Sequence, residues 1–210
     1  MPELPEVETV TNSVKKHIIN ESFDSMTVLW AKTLHNFSTS DFEKKIQGKN
    51  IINVFRRAKY IIIQFEKNLM AIHLRMTGKL YVVDNFDRNK KHISLYLQFN
   101  DKYLIYEDTR KFGRFYMYEN MDILNNKLGI EPLSDIFSKK WLIENMKLKK
   151  RQIKSLLFDQ SFICGLGNIY IDESLWRAKI HPLALSNKIS KAKIIDLHSS
   201  IVKVLSDSIK

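Results

Sequence analysis

The spacing of apolar residues changes twice along this chain and limits the folds open to it. Residues 5–19 carry apolar side chains three or four positions apart, after a proline suited to a first helical turn, which predicts an amphipathic helix. Short β-branched or aromatic stretches between polar loops then predict strands. They lie at 51–55, 60–65, 69–75, 92–99, 103–107 and 113–118. Helical spacing returns near 134–147, 151–160, 168–178 and 190–209.

This order predicts an α+β fold, with an N-terminal β-sandwich and an N-terminal helix, followed by an all-helical domain. The change from strands to helices falls in LGIEPLSD at 128–135. We therefore place an N-terminal domain at 1–132 and a helical domain at 133–210.

Cysteine content and hydropathy exclude several classes of protein. The single cysteine, Cys164, allows neither an internal disulfide nor a four-cysteine or two-cysteine, two-histidine zinc site. The N-terminus has no signal-peptide pattern, and no apolar run approaches the roughly 18 residues of a membrane span. We expect a protein of a reducing compartment without a membrane partner.

Charge raises the expectation of a polyanionic partner. The chain has 34 Lys+Arg against 23 Asp+Glu, a formal net charge of +11. Lysine and arginine that neutralise phosphates release counterions, which favours nucleic acid, although basic charge can also serve solubility alone. Residues 139–154 hold seven basic residues and one acid, and basic clusters recur at 56–60 and 110–114. An aromatic such as Phe112 inside a basic, glycine-containing loop suits a wedge between base steps.

The first six residues suggest a nucleophile. Met1 before the small Pro2 is commonly removed, which exposes a secondary amine. An α-amino group has a pKa near 8, about two units below lysine, so part of it is neutral and can attack a sugar's anomeric carbon. Glu3 and Glu6 are placed to transfer protons. The alternative is that these acids only complement the dipole of a helix N-terminus.

Six separated motifs resemble one family of DNA repair enzymes. They are MPELPEVETV at 1–10, RRAKY at 56–60, HLRMTGKL at 73–80, DTRKFGRF at 108–115, LGIEPLSD at 128–135 and GLGNIYIDESLWRAKIHP at 165–182. In this order they resemble the formamidopyrimidine-DNA glycosylases, also called 8-oxoguanine DNA glycosylases, which are bifunctional glycosylases and abasic-site lyases. The resemblance implies a helix-two-turn-helix motif in the helical domain and duplex DNA in a basic cleft between the domains.

The resemblance also implies four catalytic residues. Pro2 corresponds to the Schiff-base nucleophile and Glu3 to the acid that assists opening of the deoxyribose ring. Glu6 corresponds to a buried supporting carboxylate, and Lys59 to a lysine that donates a proton and contacts phosphate. From the residues alone, Lys59 could equally be an exposed lysine at a strand end.

Seven DNA-binding residues follow from the same resemblance. His73 and Asn168 correspond to phosphate contacts, Lys154 to a lysine linked to the flipped base, and Glu173 to a carboxylate in the second helix of the helix-two-turn-helix motif. The intercalating triad corresponds to Met76, Arg110 and Phe112. A lone histidine on a strand is more often structural.

The position of Met76 and the role of the two glycines in GLG are less clearly indicated by the sequence pattern. Strict alternation through 71–76 places Met76 on the same face as Ile72 and Leu74, in the core, but Thr77-Gly78 can turn the strand and expose it. The glycines of GLG, Gly165 and Gly167, would let backbone amides approach a phosphate.

The implied reaction is removal of oxidised purines, 8-oxoguanine and formamidopyrimidines, followed by β,δ-elimination at the abasic site. Family members continue into a four-cysteine ribbon with one structural zinc, which these 210 residues do not contain, so no metal ligand and no cofactor is assigned. The expected partner is damaged double-stranded DNA, bound by a monomer in the bacterial cytoplasm and associated with the nucleoid. The alternative is a non-catalytic or lyase-only DNA-lesion binding protein that has lost activity by truncation.

Overall fold

The computed structural model describes residues 1–209 and divides them into two compact units. The first unit holds Met1–Pro2 and Glu6–Ile123. The second holds Glu3–Pro5 and the chain from Leu124 onward. The functional domains predicted at 1–132 and 133–210 stay a prediction, and Lys210 lies outside the described residues.

Helices and strands follow the order that the apolar spacing predicts. The helices are α1 (Leu4–Ile18), α2 (Thr39–Lys45), α3 (Asp122–Asn125), α4 (Lys139–Lys147), α5 (Ile153–Phe158), α6 (Asn168–Ala178) and α7 (Lys191–Ile209). The strands are β1 (Ser25–Val28), β2 (Asn53–Arg57), β3 (Tyr60–Gln64), β4 (Leu69–His73), β5 (Gly78–Val83), β6 (Ile93–Phe99), β7 (Lys102–Asp108) and β8 (Arg114–Tyr118).

The first unit is a sandwich of two antiparallel four-stranded sheets. One sheet has the order β1-β6-β7-β5 and the other β2-β3-β4-β8. Side chains from both sheets, such as Ile61 and Leu97, share one core with the apolar stripe of α1. The predicted α+β class and β-sandwich are confirmed.

A tight hairpin joins β2 and β3 and presents Lys59. Arg57 pairs with Tyr60, which leaves Ala58 and Lys59 as a two-residue turn. Ala58 has a φ of 53°, the left-handed conformation that such a turn requires. Arg56 ties the hairpin to α1 because its Nε donates to the Glu8 carboxylate at 2.6 Å.

The second unit packs α4, α5, α6 and α7 around one apolar core, with residues such as Leu142, Leu156, Ile171 and Leu197 fully buried. The helix predicted from 134 begins five residues later. The Ser138 side chain accepts from the Trp141 amide and caps α4, whose first residue is Lys139.

Four elements were missed because their sequence patterns are short or weak, among them the four-residue helix α3. Strands β1 and β5 begin with Ser25 and Gly78 and carry weak strand signals. Helix α2 has only seven residues, but it has a capping box between Ser38 and Asp41.

Candidate active site

Glu3 is held by the N-terminus of α6. Its side chain is 3% exposed, and its carboxylate accepts hydrogen bonds from the amides of Ile169 at 3.1 Å and Tyr170 at 3.4 Å. Amides in the first turn of a helix have no acceptor within the helix, and the helix dipole favours negative charge there. The carboxylate therefore has a fixed position in the second unit.

The two glycines of GLG make room for the N-terminal segment, and the approach of their amides to a phosphate stays a prediction. Gly165 has a φ of 88°, its carbonyl accepts from the Leu4 amide at 3.1 Å, and an added Cβ would lie 2.7 Å from Leu4. A Cβ on Gly167 would lie 2.3 Å from Glu3 Cδ. The Gln160 side chain, which sequence analysis missed, accepts from the Gly165 amide at 2.9 Å and fixes this loop.

Pro2 is half-buried and belongs to the first unit. The preceding Met1 lines a cleft of about 460 Å³ in that unit, together with Met76 and Phe112. The residue ahead of the predicted nucleophile and two members of the predicted intercalating triad, from distant parts of the sequence, therefore line one cavity.

Glu6 is exposed, and the prediction that it is a buried carboxylate is wrong. The buried stripe of α1 runs through Val7, Val14 and Ile18, and Glu6 lies outside it.

Lys59 and His73 lie near each other in the sheet β2-β3-β4-β8. Lys59 is 5% exposed, which excludes the alternative of an exposed strand-end lysine. Tyr60, the next residue, pairs with His73 and makes an edge-on ring contact with it at 4.7 Å.

His73 is a neutral hydrogen-bond donor. Burial lowers its pKa to about 3, and the nearby positive charges of Arg75 and Lys59 act in the same direction. The Arg75 amide donates to His73 Nδ1 at 3.0 Å, so the ring proton is on Nε2. His73 can therefore offer a phosphate an N–H group but no charge.

Met76, Arg110 and Phe112 form an exposed group. Strand β4 ends at His73, and a turn follows in which Arg75 has a φ of 57° and the Gly78 amide donates to the Leu74 carbonyl at 3.1 Å. Alternation stops at this turn, so Met76 is 43% exposed while Leu74 is buried. Phe112 is 47% exposed, and the Arg110 guanidinium lies 4.7 Å from the centre of its ring.

The second unit carries the remaining predicted residues near the start of α6. Asn168 and Glu173 are exposed on this helix. Lys154 on α5 forms an ion pair at 2.7 Å with Asp172, a residue that sequence analysis missed because no periodic pattern links the two positions.

The part of the chain that the structure describes holds neither a candidate metal cluster nor a candidate membrane span. Among residues 1–209, no group of three or more His, Cys, Asp or Glu side chains is arranged to hold a metal ion. Over the same residues, no helix has the length and hydrophobicity needed to cross a membrane.

Comparison with known families covers nearly the whole chain. Residues 1–115 match the formamidopyrimidine-DNA glycosylase N-terminal domain, and residues 128–210 match the H2TH domain of the same enzymes. The chain belongs to the formamidopyrimidine-DNA glycosylase family. The predicted family and the helix-two-turn-helix domain are both confirmed.

Curated relatives agree with this assignment. The formamidopyrimidine-DNA glycosylase of Protochlamydia amoebophila is 41% identical over 213 aligned positions, which cover 100% of this chain and 77% of the relative. The enzyme of Streptococcus agalactiae serotype III is 39% identical, with 98% of this chain and 77% of the relative covered.

Solved structures of the family have the same fold. Lactococcus lactis formamidopyrimidine-DNA glycosylase, bound non-covalently to DNA containing an abasic site, is 35% identical with a TM-score of 0.92, covering 99% of this chain and 81% of that one. A MutM protein in complex with DNA containing carbocyclic 8-oxo-G is 36% identical, also at a TM-score of 0.92, over 99% and 79% of the two chains. This protein is a DNA glycosylase and abasic-site lyase of base excision repair.

Proposed function

We propose that this glycosylase removes oxidised purines, 8-oxoguanine and formamidopyrimidines, from duplex DNA as a monomer and then cleaves the abasic site by β,δ-elimination. The cleft that Met1 shares with Met76 and Phe112 carries this proposal. Met1 precedes the candidate amine nucleophile, and in this cleft it lies beside two exposed side chains, the aliphatic Met76 and the aromatic Phe112. The Arg110 guanidinium lies over the Phe112 ring. Solved relatives bound to 8-oxo-G and abasic DNA support the choice of substrate.

Pro2 would supply the nucleophile once Met1 is removed. Its ring nitrogen attacks C1′ of the damaged nucleoside, the bond from C1′ to the base breaks, and the base leaves with a proton. C1′ then carries both the proline nitrogen and the ring oxygen O4′; cleavage of the C1′–O4′ bond, with a proton delivered to O4′, opens the sugar and gives the iminium. The iminium makes the C2′ proton acidic, and loss of that proton expels the 3′ phosphate. A second elimination releases the 5′ phosphate.

Glu3 and Lys59 would manage protons and phosphate around this centre. The carboxylate of Glu3 is fixed by the α6 amides, and we assign it the protonation of the sugar ring oxygen during ring opening. Buried Lys59 would donate a proton and contact phosphate. Glu6 is exposed on the surface of α1, and we assign it only a supporting role.

The remaining residues would bind DNA. Met76, Arg110 and Phe112 would fill the space left by the everted base, and His73 and Asn168 would donate hydrogen bonds to phosphates. Lys154 would contact the everted base, and Glu173 would be the DNA-binding carboxylate in the second helix of the helix-two-turn-helix motif. The first domain would then be catalytic and the second DNA-binding.

Borohydride trapping tests this proposal directly. A duplex carrying 8-oxoguanine and a duplex carrying an abasic site, each with all four opposite bases, are incubated with protein whose N-terminus has been verified by mass. The proposal requires a covalent adduct with both duplexes. An adduct with abasic DNA alone would identify a lyase-only protein, and retarded migration in a gel without any adduct would identify a lesion-binding protein.

Substitution of Phe112 by alanine should slow excision of a paired lesion by about 5- to 150-fold, because one base–aromatic stack is worth about 1–3 kcal/mol. Cleavage of an abasic site has no base to evert and should change little. Single-turnover rates on the two duplexes measure the difference. Ile52→Ala is a matched control, since Ile52 is 48% exposed but lies outside the cleft. Equal losses on both duplexes with a lower Tm would make Phe112 an ordinary packing residue.

Salt dependence should separate charged from neutral phosphate contacts. Lys59→Gln should reduce the slope of log affinity against log salt by about 1, because a cation assigned to a phosphate contact is lost. His73→Gln should weaken binding at every salt concentration without changing the slope, since the pKa of His73 is about 3 and its ring is neutral. Fluorescence anisotropy with an undamaged duplex gives both slopes. A reduced slope for His73→Gln would show that the ring binds DNA as a cation.

A further inference from the structure

We propose that Asp108 is a positioning residue that joins the turn carrying Met76 and the loop carrying Arg110 and Phe112 into one preorganised wedge. This inference rests on the proposed function and adds to it a residue that has no direct role in chemistry. Asp108 is the last residue of β7 and is fully buried.

The Asp108 carboxylate accepts hydrogen bonds from both wedge segments. Its Oδ1 accepts from Thr77 Oγ1 at 2.5 Å and from the Arg110 amide at 3.1 Å. Its Oδ2 accepts from the Gly113 amide at 2.8 Å. Thr77 follows Met76, and Arg110 and Gly113 lie on either side of Phe112, so one side chain connects both segments at their bases.

The group that binds these donors is an anion. Burial by itself raises the pKa of the Asp108 carboxyl, but the donors, led by the Gly113 amide and the Thr77 hydroxyl, lower it below its ordinary value overall. A buried carboxylate that accepts several such hydrogen bonds holds the donors in narrow geometry. Replacing it by a neutral amide would set an NH₂ group against at least one N–H or O–H donor.

Tyr106 contacts Asp108 and both of the segments that Asp108 connects. Its hydroxyl donates to Asp108 Oδ2 at 3.2 Å, and burial together with the Asp108 charge raises its pKa, so it remains a donor. A Cβ on Gly113 would lie 1.5 Å from this hydroxyl, and one on Gly78 would lie 2.5 Å from it. Both wedge segments therefore pack their backbones against one tyrosine.

The outer side of the loop is also tied down. The Arg114 side chain donates to the carbonyls of Lys111 at 3.0 Å and Gly113 at 2.7 Å. The Lys111 ammonium lies 4.9 Å from the centre of the Trp30 ring. The loop is therefore held on two sides, while the side chains of Met76 and Phe112 are exposed. The conformational entropy of the wedge is lost when the protein folds and does not have to be lost again during base eversion.

Thr77→Val tests the connection with little risk to folding, because Thr77 is only half-buried and valine keeps its shape. The probe is 2-aminopurine placed opposite an abasic site, whose fluorescence rises when a wedge disrupts its stacking. We expect Thr77→Val and Asp108→Asn to lose most of this rise, and to slow excision of paired 8-oxoguanine about tenfold or more while abasic cleavage stays within about threefold. Thr77→Ser retains the hydroxyl and should restore the wild-type signal.

Tyr81→Phe is the matched control. It removes a hydroxyl that donates to the Glu107 carboxylate at 2.9 Å in the same pair of strands, away from the wedge. In a background that carries both Met76→Ala and Phe112→Ala, Thr77→Val should cause little further loss, because both apolar side chains that the junction positions are absent. A further loss in that background, a normal fluorescence rise in Thr77→Val, or an equal slowing of both reactions would overturn the proposal.

The fluorescence measurement requires no catalysis, so it separates this inference from the proposed function. If wild-type protein gave no covalent adduct but still produced the fluorescence rise that Thr77→Val loses, the glycosylase mechanism would be wrong and the positioning role of Asp108 would stand. If adducts formed normally but no variant altered the fluorescence, only the positioning role would be rejected.

Discussion

A protein that carries even one residue ahead of Pro2 is expected to form no borohydride-trapped adduct with abasic DNA, a loss of about a thousandfold or more. Peptide bond formation turns the proline nitrogen into an amide, which has no nucleophilic lone pair. A free α-amino group ordinarily has a pKa near 8, so a fraction of it is neutral at physiological pH and can act as a nucleophile. Met1 is exposed and so accessible for removal. Trapping yields from proteins with and without Met1, verified by intact mass, give the measurement.

DNA binding is the internal control for this experiment. An extension at the N-terminus removes no side chain of the wedge or of α6, so gel-shift affinity should be retained. Pro2→Gly keeps an amine but changes it from secondary to primary, and both base excision and strand cleavage should fall. Undiminished trapping by the extended protein would show that an amine other than that of Pro2 is the nucleophile.

Displacement of Glu3 is expected to have the second largest effect. Glu3→Gln should reduce the excision rate by about 10²- to 10⁴-fold, the range for loss of a positioned proton-transfer group. Gly167→Ala should approach the same loss from a different residue, because its Cβ would lie 2.3 Å from Glu3 Cδ and would push the carboxylate away from the Ile169 and Tyr170 amides. Single-turnover excision rates and Tm are measured for each variant.

A double-mutant cycle separates displacement of Glu3 from general damage to the loop. In a Glu3→Ala background the carboxylate and its Cδ are absent, so Gly167→Ala should add little further loss of rate and little loss of Tm. Full additivity of the two substitutions would mean that the alanine harms the loop independently of Glu3. Wild-type rates in Gly167→Ala would show that the position of the Glu3 carboxylate does not matter for excision.

Much of the fold was predictable because local spacing and turn chemistry agree with the final packing. Helix α6 occupies exactly the predicted span, as the 168–178 pattern has a consistent apolar face. Strands with several buried β-branched residues, such as β3, were found, whereas β1 and β5 were not. A short strand takes its stability from cross-strand partners that local sequence does not contain.

The candidate site was predictable to a different extent at each position. Lys59, His73 and Phe112 were named from motifs, but sequence left open whether Lys59 was buried and whether His73 was charged. Glu6 was expected to be buried but is exposed, because it lies outside the apolar face of α1. Motif matching names residues but does not determine their surroundings.

The sequence by itself determined the family, the α+β class, the relative order of the strands and helices that it predicted, and the identity of the candidate nucleophile. These depend on residue type and on spacing along the chain. Only the tertiary structure shows that Glu3 binds the first amides of α6 and that its side chain leaves no room for a Cβ at Gly167. Only the tertiary structure shows that Asp108 joins two turns about 30 residues apart. The physical reason is that hydrogen-bond direction and contact between residues distant in the chain arise only when separate elements pack, and no local pattern encodes them.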